Sequence, residues 1–166
     1  MAILLGIAPS PAPAAACPGA AASPASAART ARVAAVACEI NRRRRSRGLA
    51  PVTRDPRLNR MAGRYARAMV RQGFFSHTAP GGRTLSDRLR AARYGHAAAV
   101  GEALAWGQGD RAAPGAIVRA WMHSAPHRAV LLGRNYRHVG IGVVLGSPYD
   151  RSLRVSATYA ANLAAR

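Results

Sequence analysis

The chain has no lysine, few acidic residues and few cysteines. Its 25 basic residues are all arginine, against six Asp and Glu, so the formal net charge is +19 at pH 7. No stretch is both long enough and apolar enough to form a membrane-spanning helix. The two cysteines, Cys17 and Cys38, are too few and too widely spaced for a thiolate zinc site. There is no H-E-x-x-H metalloprotease helix, no G-x-S-x-G nucleophile elbow and no glycine-rich phosphate loop. Strand and helix patterns do not alternate as βαβ units, which argues against a doubly wound parallel sheet, and no internal repeat is visible.

What is present fits one domain with a tail, at 166 residues and an ordinary apolar content of 49%. The arginine excess suits an anionic partner such as nucleic acid, a teichoic-type wall polymer or anionic lipid. It also suits plain compositional bias, because Ala, Arg, Gly and Pro are abundant together and the arginines are spread along every segment. The second reading is preferred, since nothing gathers the charge on one motif. Nucleic acid is then expected to bind only nonspecifically, at low salt.

Residues 1–28 are rich in Ala, Pro and Ser and carry no core pattern. The short apolar run Ile3–Ala8 is followed by proline and small residues offering A-x-A cleavage sites, as at the end of a secretory signal that lacks its basic n-region. The chain therefore divides into a signal remnant and tether over 1–28 and a folded domain over 29–166. In an exported chain an even cysteine pair reads as a disulfide between Cys17 and Cys38. Closing a loop of roughly twenty residues stabilises by about 3 kcal/mol in the chain-entropy model. The alternatives are an acylated Cys17 or two free thiols. Acylation ranks lower, because the AAAC sequence lacks the usual aliphatic residue three places before the cysteine.

Beyond the tether, Val33, Val36, Ala37 and Ile40 recur at helical spacing from about Thr30. Arg42–Arg45 and Arg47 then read as a solvated helix end favoured by the macrodipole, with Gly48 as the stop. Asp55-Pro56 predicts a helix start, and Leu58, Met61, Ala62, Tyr65 and Met69 predict its buried stripe, ending near Gly73. Thr84-x-x-Asp87 predicts a short capped helix to about Arg93. Val100–Gly107 reads as an extended piece. Ala113–His123 reads as a helix with Ile117, Ala120 and Trp121 inward, and a second short helix starts at Pro126. Trp106 and Trp121 read as core anchors. Two late strands alternate: Val139, Ile141, Val143 and Leu145 against Gly140, Gly142 and Gly146, then Leu153 to Ala161 against Arg154, Ser156 and Thr158. With a turn at 147–150 they predict an antiparallel hairpin, so the fold class is α+β.

Chemistry concentrates in three pieces: FFSHTAPGG (Phe74–Gly82), VGEALAWG (Val100–Gly107) and AIVRAWMHSAPHRAVLL (Ala116–Leu132). Glu102 is the strongest anomaly, a carboxylate in an apolar strand that must be paired or protonated if buried. His77 sits in a turn cluster and His127 at a helix start. His96, His123 and His138 read as solvated. Ser124 and His127 stand three apart but no orienting acid for a Ser/His hydrolase is identifiable.

In this order and spacing, the three pieces resemble the CAP superfamily of cysteine-rich secretory proteins, antigens and pathogenesis-related proteins, in its bacterial secreted form, from about Arg32 to about Asn162. The resemblance implies a three-layer α-β-α sandwich with a small antiparallel sheet. It also implies a central cleft where two histidines meet acidic residues, with zinc on the histidines in some members. His77, Glu102 and His127 match three of those positions. The fourth, a glutamate after the helical tryptophan, falls on Ser124, and Ala103 and Val130 stand where Asn is common. The expected ligand cleft is thus His77, Glu102, Ser124 and His127. Zinc is the one cofactor expected, with His77 and His127 as its ligands.

Three functions compete. The first is a monomeric binding module, secreted or attached to the cell envelope, for a small apolar or amphipathic ligand or an anionic envelope polymer or lipid. The second is a zinc-dependent extracellular hydrolase in which Glu102 activates water. The third, nucleic-acid binding, rests on charge alone.

Overall fold

The computed structural model of the chain describes residues 16–95, 97–150, 152–153 and 155–165. The expected signal run Ile3–Ala8, His96 and Arg154 lie outside the described residues. In chain order the elements are α1 (Arg29–Arg45), β1 (Thr53–Arg54), α2 (Pro56–Gln72), α3 (Leu85–Ala91), β2 (Ala99–Gln108), α4 (Pro114–His123), α5 (Ala125–Leu131), β3 (His138–Leu145) and β4 (Ser156–Ala165).

Local chemistry sets the helix ends. The Asp55 carboxylate accepts from the N–H groups of Arg57 and Leu58, Pro56 occupies the first turn, and Gly73 closes α2 in the left-handed region at φ 69°. Thr84 and Asp87 form a reciprocal capping box at the start of α3. The α2 stripe Leu58, Met61, Ala62, Tyr65 and Met69 is buried throughout.

The sheet order is β1-β3-β4-β2. β3 and β4 pair antiparallel as expected, and β2 adds antiparallel on the other side of β4. The expected all-antiparallel sheet is nevertheless a mixed one, because β1 pairs parallel to β3 at Thr53↔His138 and Arg54↔Val139. With only two residues, both exposed, β1 has no alternation to reveal it. β4 begins at Ser156 and not at Leu153, since Val155 takes φ 55°, which extended backbone does not allow. Ser156 and Thr158, expected to face solvent, are buried because β4 is covered on both faces.

Three layers result. On one face Val36, Ile40, Ile117, Trp121 and Leu131 of α1, α4 and α5 pack against Ile141, Val143, Tyr159, Ala161 and Leu163. On the other, Ala62, Tyr65, Ala66 and Met69 of α2 meet Leu104 and Ala160, while Leu58, Met61 and Leu89 meet Ala164. α2 can lie this close to β3 because Gly140 and Gly142 lack side chains; a Cβ there would stand 2.2 Å from Leu58 C and 2.2 Å from Ala62 O. Leu145 and Ala120, both expected inward, are exposed, and Trp106 is only half-buried while Trp121 is a core anchor.

The arginine run at the end of α1 is not simply a solvated helix end. Arg44 is fully buried, and its guanidinium donates to the carbonyls of Ala50 (2.8 Å), Leu131 (2.8 Å), Gly133 (3.0 Å) and Tyr136 (3.4 Å). Burial, with Arg137 nearby, pushes its pKa down from the ordinary arginine value. Residues 16–28 are drawn onto the domain: Cys17 and Cys38 form the expected disulfide, Gly115 N–H donates to Ala20 O at 2.7 Å, and Arg32 donates to the carbonyls of Pro24 and Ala27.

Candidate functional site

The turn after α2 brings His77 to the sheet. Tyr65 Oη on α2 donates to Ser76 O at 2.6 Å and so holds the start of the turn. Gly81 (φ 84°) and Gly82 (φ 80°) supply the left-handed backbone that folds it back into α3. α3 then delivers Arg88, and the β2–β4 register sets Glu102 opposite Asn162.

These four side chains form one connected group around Glu102. His77 Nδ1 lies 2.9 Å from Glu102 Oε1. Arg88 Nη2 (2.6 Å) and Asn162 Nδ2 (2.9 Å) both donate to Oε2. Arg88 Nη1 also donates to His77 O at 2.9 Å, and its guanidinium lies 3.4 Å above the centre of the Tyr65 ring. The Glu102 and Arg88 side chains are 3% and 7% exposed, whereas that of His77 is 60% exposed. A buried carboxylate is thus neutralised from inside and presents one fixed imidazole to solvent. Burial of Tyr65 pushes its phenol pKa up.

The structure brings His77 and Glu102 into contact and places His127, half-buried on α5, close enough to His77 for their charges to interact. Burial first and the His77 charge second push the His127 pKa down, so its imidazole is neutral at pH 7. Ser124 is half-buried at the α4–α5 junction and its hydroxyl makes no cap bond to α5.

The two expected zinc ligands, His77 and His127, gain no third donor from these side chains. Among the described residues no group of three or more His, Cys, Asp or Glu could hold a metal ion. Glu102 has both oxygens engaged by His77, Arg88 and Asn162, which leaves the two imidazoles as donors.

Residues 39–159 match the CAP family, described as the cysteine-rich secretory protein family. The chain belongs to the CAP family. It is 32% identical over 104 residues to the uncharacterized protein YkwD of Bacillus subtilis, covering 63% of this chain and 39% of that protein. The chain thus spans about two fifths of that relative's length. An extracellular protein of Bacillus anthracis containing an SCP domain superposes with a TM-score of 0.71 at 23% identity, over 83% of this chain and 41% of that one. An outer surface protein of Borrelia burgdorferi superposes at 0.69 with 19% identity, over 84% of this chain and 96% of that one. At such identities the likeness is one of fold, and the fold is that of a bacterial CAP domain.

Two members of the group escaped the sequence. Asn162 carried a usable signal, being a polar residue in the apolar run Tyr159–Ala165, the same anomaly that singled out Glu102. Arg88 carried none, as one arginine among many.

Proposed function

We propose that this CAP domain is an exported, monomeric binding module that holds a small apolar or amphipathic ligand, or a cell-envelope component, at the His77–Glu102 cleft. The observation that carries the reading is the engagement of both Glu102 oxygens. A general base needs an oxygen free to take a proton from water or substrate. Glu102 instead fixes the orientation of His77, and a preorganised, solvent-facing imidazole suits recognition. Export is supported by the disulfide, which persists in oxidising surroundings.

The test is retention on isolated cell walls and on anionic vesicles at moderate salt, with native mass spectrometry for co-purified lipid. Wild type is expected to retain a ligand. His77→Ala is expected to lose about tenfold in affinity, the equivalent of ~1.4 kcal/mol of contact. A wild-type chain that carries no lipid and stays on neither surface would sink the reading. Zinc-dependent hydrolysis is the weaker alternative, because the donor set falls short of three protein ligands. Calorimetric zinc binding lost in both His77→Ala and His127→Ala, with turnover lost in Glu102→Gln, would overturn that ranking.

A further inference from the structure

Three aromatic rings gather where the β3–β4 connection meets the end of β2 and the turn after α2. The Tyr149 ring centre lies 5.8 Å from that of Trp106, at 72°, and 6.2 Å from that of Phe75, at 57°. Tyr149 is 65% exposed, while Trp106 and Phe75 are half-buried. Its backbone is nevertheless held. The hydroxyl of the buried Ser147 accepts from the N–H groups of Tyr149 (3.1 Å) and Asp150 (3.2 Å). A ring that faces solvent adds little to the core, and one fixed in place suits recognition, because less freedom is lost on binding.

The chemistry of the segments that carry the rings narrows the ligand. None of the 25 basic residues falls in 72–82, 94–110 or 138–150, which supply Phe75, Trp106 and Tyr149. In a chain of net charge +19, these segments offer no arginine to an anionic ligand. Gln72, Ser76, Thr78 and Gln108 in them are exposed and offer neutral donors and acceptors instead. Neither the Trp106 indole N–H nor the Tyr149 hydroxyl has a hydrogen-bond partner among the described residues. An uncharged lipid tail would suit the rings but leave these polar groups unpaired. We infer that the ring cluster binds an uncharged oligosaccharide. The C–H faces of its pyranose rings lie against the negative π faces of Tyr149 and Trp106, and its hydroxyls bond to the indole N–H and the phenol. The cluster continues the His77 cleft. Phe75 stands two residues before His77, and Glu102 and Trp106 alternate onto the same face of β2, about 13 Å apart along the strand. One extended glycan therefore reaches from the rings to the His77 imidazole. The inference deepens the binding-module reading by naming its ligand class, and it rests on that reading.

NMR titration of the oxidised full chain with cellotetraose and with tetra-N-acetylchitotetraose tests it. The two tryptophans supply a signal and its control, because the Trp121 indole N–H is engaged in the core, donating to Leu104 O at 3.0 Å. A saturable shift of the Trp106 indole resonance is expected with at least one sugar, while that of Trp121 stays in place. The apparent Kd should not change between about 0.05 and 0.5 M salt, since no ion pair is made. Tyr149→Ala should weaken binding at least about tenfold, and Tyr149→Phe, which keeps the ring, should weaken it less. Leu145→Ala trims exposed apolar surface on the opposite face of the sheet and should leave binding unchanged. A wild-type chain silent to both sugars, or binding that Tyr149→Ala leaves intact, would overturn the inference. Retention on isolated walls or phosphatidylcholine vesicles with neither sugar shifting Trp106 overturns the glycan and leaves the binding module standing. A chain that binds none of these sinks both.

Discussion

At Glu102 a buried carboxylate is neutralised by Arg88 and Asn162 on one oxygen and meets His77 on the other. Removing one partner of a buried pair leaves the other charge stranded, so Glu102→Ala should destabilise by about 3–5 kcal/mol in urea unfolding. Glu102→Gln keeps an acceptor in place and should cost less, about 1–3 kcal/mol. Similar losses in the two variants would show that the charge itself contributes nothing. His127 gives a pH signature. Its folded pKa is depressed, so above the ordinary imidazole value it is neutral in both states and carries no penalty. As pH falls the unfolded chain takes the proton first, and stability declines until the folded pKa is passed. Proton NMR should find His127 titrating below the ordinary value, and His77→Ala should move it back upward; an unmoved value would refute the coupling.

The contact of α2 with β3 depends on the absence of two methyl groups. Gly142→Ala would drive a Cβ against the backbone of Ala62, a neighbour that cannot swing away. Overpacking of this kind should cost about 3 kcal/mol, at the upper end for added methylenes, read as a lower Tm. An unchanged Tm would mean that α2 slides on the sheet. The short helix α3 rests on its capping box, and Thr84→Ala should cost about 1 kcal/mol. Because α3 carries Arg88, the same change should also broaden the His77 resonances. The Asp-Pro start of α2, its apolar stripe and the α3 capping box were all legible in the sequence, because caps and stripes act over one or two turns. β1 was not legible, because two exposed residues pair only with a strand more than eighty positions away.

Across the whole molecule, the disulfide ties the segment before α1 to the domain over a separation of 21 residues. Reduction should lower stability by about 3 kcal/mol, while the rest of the core persists and folding remains cooperative. A reduced chain as stable as the oxidised one would mean that the Ala20–Gly115 and Arg32 contacts suffice to hold the segment. The net charge of +19 predicts that DNA binding seen at low salt vanishes by about 0.15 M salt, without sequence preference. Persistent sequence-selective binding would reopen the nucleic-acid reading.

The sequence alone determined the α+β class, most helix ends and the CAP resemblance through His77, Glu102 and His127, and it favoured the disulfide that the structure then showed. Each of these follows from residue type and spacing along the chain. Only the tertiary structure decided that Arg44 and Arg88 are buried while Arg47 is exposed, that Asn162 faces Glu102, and that Glu102 orients His77 instead of standing free. Arginines are identical as letters. What separates them is which carbonyls, carboxylate and aromatic ring the folded chain brings around each one, and those partners lie as far as 92 positions away.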